Sequence, residues 1–160
     1  IGFNADEIVN VTWDDINMYE EGDSITLESV HPSGALLQNK LTGGVYWVQD
    51  AKKYPIWSRE IMKANYPSYV ITAVSPDELD KYETQAPAKF RDGELVKAKG
   101  DPGVYVISGG AIRPIPSAEI FVRMGYKWEN IIETSAKALT LHPIGEPIYL
   151  ITGEVEAAGR

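Results

Sequence analysis

The sequence predicts an α+β fold of tandem β-β-β-α-α units, each a small antiparallel meander sheet packed by two short helices. Three observations predict it. A segment of about 60 residues is written twice, the sequence signature of a repeat architecture. Each copy opens with short apolar runs separated by Gly-containing turns, which reads as strands. Each copy closes with two Ser-capped runs, which read as helices.

Gly34, Leu36, Lys40, Gly44, Val45, Tyr46, Pro55, Ile56, Ser58, Glu60 and Ile61 return 59 places later. There they are Gly93, Leu95, Lys99, Gly103, Val104, Tyr105, Pro114, Ile115, Ser117, Glu119 and Ile120. After a slip of one residue, Tyr66, Ile71, Ser75, Leu79 and Pro87 return as Tyr126, Ile131, Ser135, Leu139 and Pro147. Residues 2–25 align without gaps on residues 125–148, pairing Thr12 with Ser135, Ile16 with Leu139 and Tyr19 with His142. The chain therefore divides into the C-terminal half of a repeat (1–25), two full repeats (26–88 and 89–148) and the start of a further one (149–160). Both ends fall in mid-unit, which predicts a piece of a longer array. A chain whose terminal halves complete one another in space is the rival reading.

Within a unit, the first strand is Ala35 to Lys40 or Glu94 to Lys99, followed by a Gly turn. The second, Val45-Tyr46-Trp47-Val48 or Val104-Tyr105-Val106-Ile107, is apolar on both faces and reads as buried. Gln49-Asp50-Ala51-Lys52 and Ser108-Gly109-Gly110 have hairpin-turn chemistry. The third strand contains Pro55 or Pro114; proline donates nothing to a ladder, so this strand belongs at an edge. Ser58 and Ser117 are N-cap residues with Glu60 and Glu119 in the first helical turn. Gly125 is the helix stop, with Asn65 in that role in the first copy. A second helix starts at Thr12, Ser75 and Ser135. Ser75-Pro76-Asp77-Glu78 has the pattern of a capping box with proline at the first helical position, and Thr12-Trp13-Asp14-Asp15 is its acidic relative.

Composition excludes several function classes. The chain has no Cys, which rules out disulfides, thiol catalysis and thiolate metal sites. No apolar run approaches the roughly 18 residues that span a bilayer, so no membrane insertion is expected. The net charge is −8, and the first 39 residues hold eight acids and no Lys or Arg. With no basic stripe elsewhere to compensate, nucleic acid is not an expected partner.

Catalytic signatures are absent from the sequence. His31 and His142 occupy slots that are Phe, Leu or Tyr in other copies, which favours packing over catalysis. There is no nucleophile elbow, P-loop or dinucleotide glycine motif. Glu60 and Glu119 recur, but a first helical turn already explains an acid there. The expectation is a non-enzyme without a cofactor. Asp14, Asp15, Glu20, Glu21 and Asp23 form a loose acidic set that makes calcium the one candidate ion. They do not follow the EF-hand pattern, since Tyr19 stands at a ligand position and the loop lacks its glycine.

The aromatic residues are the better lead. Trp13 aligns with Pro76 and Ala136, Tyr54 with Arg113, and Trp57 with Pro116. Slots that accept such different residues are not deep core. Trp13, Tyr54 and Trp57, with Lys53 and Arg59 beside them, are the candidate ligand-binding residues, because exposed rings offer large contact area at low entropic cost. Partly covered contacts between repeats are the competing reading.

The pattern Asp92-Gly93-x-Leu95-Val96-Lys97, Val104-Tyr105-Val106-Ile107, Arg113-Pro114-Ile115-x-Ser117-x-Glu119 and Gly125-Tyr126-x-Trp128 resembles a repeat of about this length found in tandem in large bacterial secreted and cell-surface proteins. The match is close in the second copy and looser in the first, where Tyr54, Trp57 and Asn65 depart from it. The resemblance implies an extracellular or cell-surface setting, an accessory role and no catalytic residues to transfer. The expected function is a non-enzymatic repeat module that recognises cell-envelope glycan or a surface protein, or spaces domains, with neighbouring repeats as further partners. The alternative is an accessory fragment of a cell-wall-active hydrolase.

Overall fold

A computed structural model describes residues 9–22, 31 and 33–149. The fold is mixed α+β: two sheets, each associated with short helices. A first short helix, α1 (Trp13–Ile16), lies apart from the sheets, with every residue from 9 to 22 exposed. The first unit runs β1 (Ala35–Asn39), β2 (Val45–Gln49), β3 (Lys52–Ile56), α2 (Arg59–Asn65), β4 (Ile71–Val74), α3 (Pro76–Leu79) and β5 (Glu83–Thr84). The second runs β6 (Leu95–Ala98), β7 (Tyr105–Ser108), β8 (Ala111–Pro114), α4 (Ala118–Arg123), β9 (Ile131–Thr134) and α5 (Ala136–Leu139).

The expected three-stranded meander is present in each unit, but the order between the two helices differs from expectation. A fourth strand separates them. β4 and β9 lie parallel to the first strands, with Leu36 opposite Ile71 and Leu95 opposite Ile131. The sheets are therefore mixed, not purely antiparallel, and their orders are β4-β1-β2-β3-β5 and β8-β7-β6-β9. The physical reason is the right-handed crossover that a helix makes between parallel strands. α2 and α4 return the chain beside its first strand, and Ile71-Thr72-Ala73-Val74 and Ile131-Ile132-Glu133-Thr134 are β-branched enough to pair there.

Turns and caps follow local chemistry. Ser58, Ser75, Ser117 and Ser135 each accept the backbone N–H three residues on. The complete capping box is at Thr12: its hydroxyl oxygen accepts from the Asp15 amide at 3.3 Å, and its own amide donates to Asp15 Oδ2 at 2.9 Å. At Ser75 the reciprocal half is missing, because the Glu78 carboxylate accepts from Lys81 Nζ at 2.7 Å and Tyr82 Oη at 2.9 Å instead. Asn65 is not a helix stop. It is the last residue of α2, buried, and its Nδ2 donates to the Lys89 carbonyl at 2.7 Å. Gly125 does follow α4 with a left-handed φ of 77°.

Two-residue loops close both second hairpins, and both residues of each are left-handed. In the second unit these are Gly109 and Gly110, whose amides donate to the Asp92 carboxylate at 2.9 Å each. In the first they are Asp50 (φ 49°) and Ala51 (φ 59°), which carry a Cβ in a region that suits glycine.

The core is shared between units. Leu37, Val48, Leu79 and Tyr82 form the first cluster. Phe90, Val96, Ile107, Ala138 and Leu139 form the second, and Ile61 from α2 completes it. Around that helix, Thr134 Oγ1 lies 3.3 Å from Ser58 Oγ and 3.5 Å from Glu60 Oε2, and Lys99 Nζ lies 3.9 Å from Glu60. Arg91 Nη2 donates to the Asn65 carbonyl at 2.8 Å and fixes the joint. His142 packs beside Phe90 and donates from Nδ1 to the Gly110 carbonyl at 2.9 Å. The packing reading of this histidine agrees with its buried position.

Two stability predictions follow from these local contacts. Ala51→Gly removes the Cβ from a left-handed position and raises unfolding free energy by about 0.5–1 kcal/mol, net of glycine's entropic cost, read from the denaturant midpoint. The Lys81 and Tyr82 hydrogen bonds hold the Glu78 carboxyl below its ordinary value of 4.5. A depressed carboxylate stabilises the fold above its unfolded pKa, and that contribution is lost as pH falls through the folded value. Glu78→Gln is expected to melt below the parent at pH 7, with the gap closing once the pH drops below the ordinary carboxylate range.

Candidate functional site

The predicted ligand residues do not converge on one site. Trp13 sits on the isolated α1 and is 78% exposed. Tyr54 faces Trp47 across the β2–β3 pair and lines a shallow recess with Gln49, Asn65, Tyr66 and Lys89. Lys53 is buried. Its Nζ donates to the Leu79 carbonyl at 2.7 Å and lies 3.7 Å from Asp80, at the C-terminal end of α3. It takes the place of Ile112 in the other unit, and its charge answers the partial negative charge of a helix terminus. Lys53 is thus a structural residue, committed before any ligand arrives.

Trp57 and Arg59 do come together. They border a cleft of about 320 Å³ with Gln38, Ser58, Met62 and Ile71. Strand β3 ends at Ile56 and α2 begins at Arg59, so the strand-to-helix joint projects Trp57 at the rim. The indole is 40% exposed, and Lys137 Nζ from the second unit stands 4.7 Å from its ring centroid. A cation over an indole face is attracted by the ring quadrupole, which steadies the ring. Gln38 donates from Nε2 to the Gly43 carbonyl at 3.1 Å and is held at the cleft wall.

The equivalent joint of the second unit borders a cleft of about 370 Å³, lined by Pro102, Val104, Pro116, Ser117, Phe121 and Trp128. Pro116 replaces Trp57, but a tryptophan is still present. Trp128 is 52% exposed and stacks on Phe121 with centroids 4.0 Å apart. Sequence reasoning placed Trp128 only in a family pattern and not among ligand residues. The alignment gives no signal for it, since its ring reaches the cleft from the segment after α4, while Trp57 comes from the segment before α2. The first unit uses its later aromatics otherwise: Trp47 stacks on Tyr66 at 4.2 Å and meets Tyr69 edge-on at 4.8 Å. Gly34 permits this, for a Cβ there would stand 1.9 Å from the Trp47 ring.

Asp14, Asp15, Glu20 and Glu21 are all exposed, and Asp23 lies outside the described residues. Asp15 is occupied by its cap. Hydrogen bonds from the Thr12 hydroxyl and amide hold its carboxyl below the usual value. Among the described residues, no group of three or more His, Asp or Glu side chains is placed to hold a metal ion. Glu60 is engaged between units by Lys99 and Thr134, while Glu119 is exposed and 3.6 Å from Arg123. Neither acid lines the clefts described above. No described helix is long and apolar enough to cross a membrane.

No protein-family model matches the chain, and no curated protein matches it in sequence. Among solved structures it is similar to a chain of the periplasmic assembly from the ESX-5 inner membrane complex, at 12% identity and a TM-score of 0.29. The likeness covers 87% of this chain and 45% of that one, and at this TM-score it carries no argument.

The assignment of Lys53 is testable apart from any ligand. Lys53→Ala leaves the Leu79 carbonyl without its buried donor and is expected to cost about 1–3 kcal/mol in chemical denaturation. Ligand binding by the folded fraction is expected to stay unchanged.

Proposed function

We propose that this chain is a non-enzymatic repeat module of a bacterial secreted or cell-surface protein, and that it recognises envelope glycan through its strand-to-helix clefts. The observation that supports this reading is the exposed tryptophan at each cleft, Trp57 in one unit and Trp128 in the other. An indole face covers the C–H face of a sugar ring, while Arg59 and Gln38 offer hydrogen-bond donors to its hydroxyls. Such clefts are open to solvent, so a single one binds weakly. Two on one chain engage one polymer with raised effective concentration.

The repeat pattern supports the extracellular setting, and the engagement of Glu60 by Lys99 and Thr134 favours binding over hydrolysis. A surface-protein ligand would use the same rings. A spacer would use none of them.

The deciding experiment is a glycan-array screen followed by titration calorimetry, with and without calcium. Trp57→Ala and Trp128→Ala are each expected to weaken binding at least about tenfold, the cost of losing one well-packed ring. The Trp13/Tyr54/Trp57 triple alanine variant is expected to lose the first cleft, with circular dichroism unchanged. No binding by parent or variants would leave a spacer as the function, and equal binding by all of them would place recognition away from these clefts and overturn the reading.

A further inference from the structure

We infer that the outer face of α4 and the β4 face of the first sheet are the two halves of one head-to-tail contact, and that the occupant of each is a second copy of this chain. The inference rests on the reading of the chain as a repeat module, and it names the partner surfaces.

The contact is already made once inside the molecule. α2 of the first unit lays Ile61 into the second unit's core, sets Ser58 and Glu60 against Thr134, and brings Glu60 to 3.9 Å from Lys99. Thr134 is left with 0% exposure. The chain carries the counterparts of both surfaces a second time, and among the described residues their polar members are exposed there, while Ile120 packs against the Leu95, Val106 and Phe121 cluster of its own unit.

On the donor side, Ser117, Glu119 and Ile120 stand 59 places after Ser58, Glu60 and Ile61. Ser117 caps α4 as Ser58 caps α2, so the side chains leave the helix in the same order. Ser117 and Glu119 are exposed and Ile120 is half-buried, next to Val122 at 60% and Met124 at 41%. On the acceptor side, Lys40 stands 59 places before Lys99. Its amide donates to the Val74 carbonyl at 3.0 Å, as that of Lys99 donates to the Thr134 carbonyl at 2.9 Å. Lys40 and the β4 residues Ile71, Thr72 and Ala73 are exposed, and Val74 is only half-buried where Thr134 is sealed.

The two free faces are chemically complementary. Glu119 meets Lys40 in the way that Glu60 meets Lys99. The Trp57–Lys137 contact is replaced on both sides at once, by Pro116 and Asp77, so neither half of it is stranded. Arg123 stands where Ala64 does and lies 3.6 Å from Glu119; as a solvent-exposed pair it gives way at little cost. Donor and acceptor are different surfaces, so the contact is heterologous and grows as an open row instead of closing as a two-fold dimer.

Sedimentation velocity and two-dimensional NMR of the chain, from about 10 μM to about 1 mM, the range set by the effective concentration of a short tether, test this directly. The expected result is a mass that climbs past the dimer, with shifts confined to α4, Lys40 and β4. Glu119→Lys and Lys40→Glu each weaken association about fivefold, and the double swap restores it to within about twofold. Val122→Asp, at a position 60% exposed on α4, weakens it at least about tenfold while leaving the circular dichroism of the monomer intact. A monomer throughout, a stop at the dimer, shifts centred elsewhere, or a double swap that fails to restore would each overturn the inference. Lost glycan binding with self-association intact would sink only the proposed recognition role, and the reverse only this one.

Discussion

Ile61 belongs to one unit by sequence and to the next by packing. Its side chain is fully buried among Phe90, Val96, Ile107, Ala138 and Leu139, none of which is in its own unit. A module of about 60 residues buries too little of its surface to be comfortably stable alone. Here Ile61 of α2 adds apolar burial to the core of the second sheet. Burial of one Ile contributes roughly 1.5–3 kcal/mol, and truncating it would cost more because of the cavity left behind. Around this apolar anchor the polar contacts of Ser58, Glu60, Thr134 and Lys99 fix the rotation of α2 against β9. The joint is then locked by Arg91 on the Asn65 carbonyl and by Asn65 on the Lys89 carbonyl.

The two units solve the same problems with different residues. Where the second closes its hairpin with Gly109 and Gly110 under the Asp92 carboxylate, the first accepts Asp50 and Ala51 in a conformation glycine prefers. Where the second buries Ile112, the first buries Lys53 and pairs it with the end of α3. Where the first displays Trp57, the second displays Trp128 from another segment. Such exchanges conserve volume, turn geometry or an exposed ring, while residue identity at aligned positions is lost. A cleft flanked by one indole in each unit is the feature that survives, and this makes it the best-supported candidate for binding.

Much of the architecture was legible from local signals. The four Ser caps, the Gly125 stop, the meander and its hairpin turns follow from residue types whose backbone preferences are strong. The fourth strand was harder. Ile71 to Val74 and Ile131 to Thr134 are four residues long and sit between helices, where periodicity does not separate a strand from a connector. Their pairing with the first strand spans more than thirty residues of chain and is fixed only when the intervening helix folds back. The candidate site was legible in part. Variation between copies marked Trp57 as uncovered; Lys53, named only as a neighbour of the marked rings, is buried, and Trp128, which is exposed, was passed over.

The sequence by itself determined the period, the caps, the turns and the α+β class, because each is set by contacts within a few residues. Only the tertiary structure decided which unit owns Ile61, which tryptophans border clefts, and that Lys53 is tied to Leu79 and not free for a ligand. Those outcomes depend on which surfaces meet across long stretches of chain. A repeat pattern states that two surfaces are alike. It does not state which of them is covered by a neighbour.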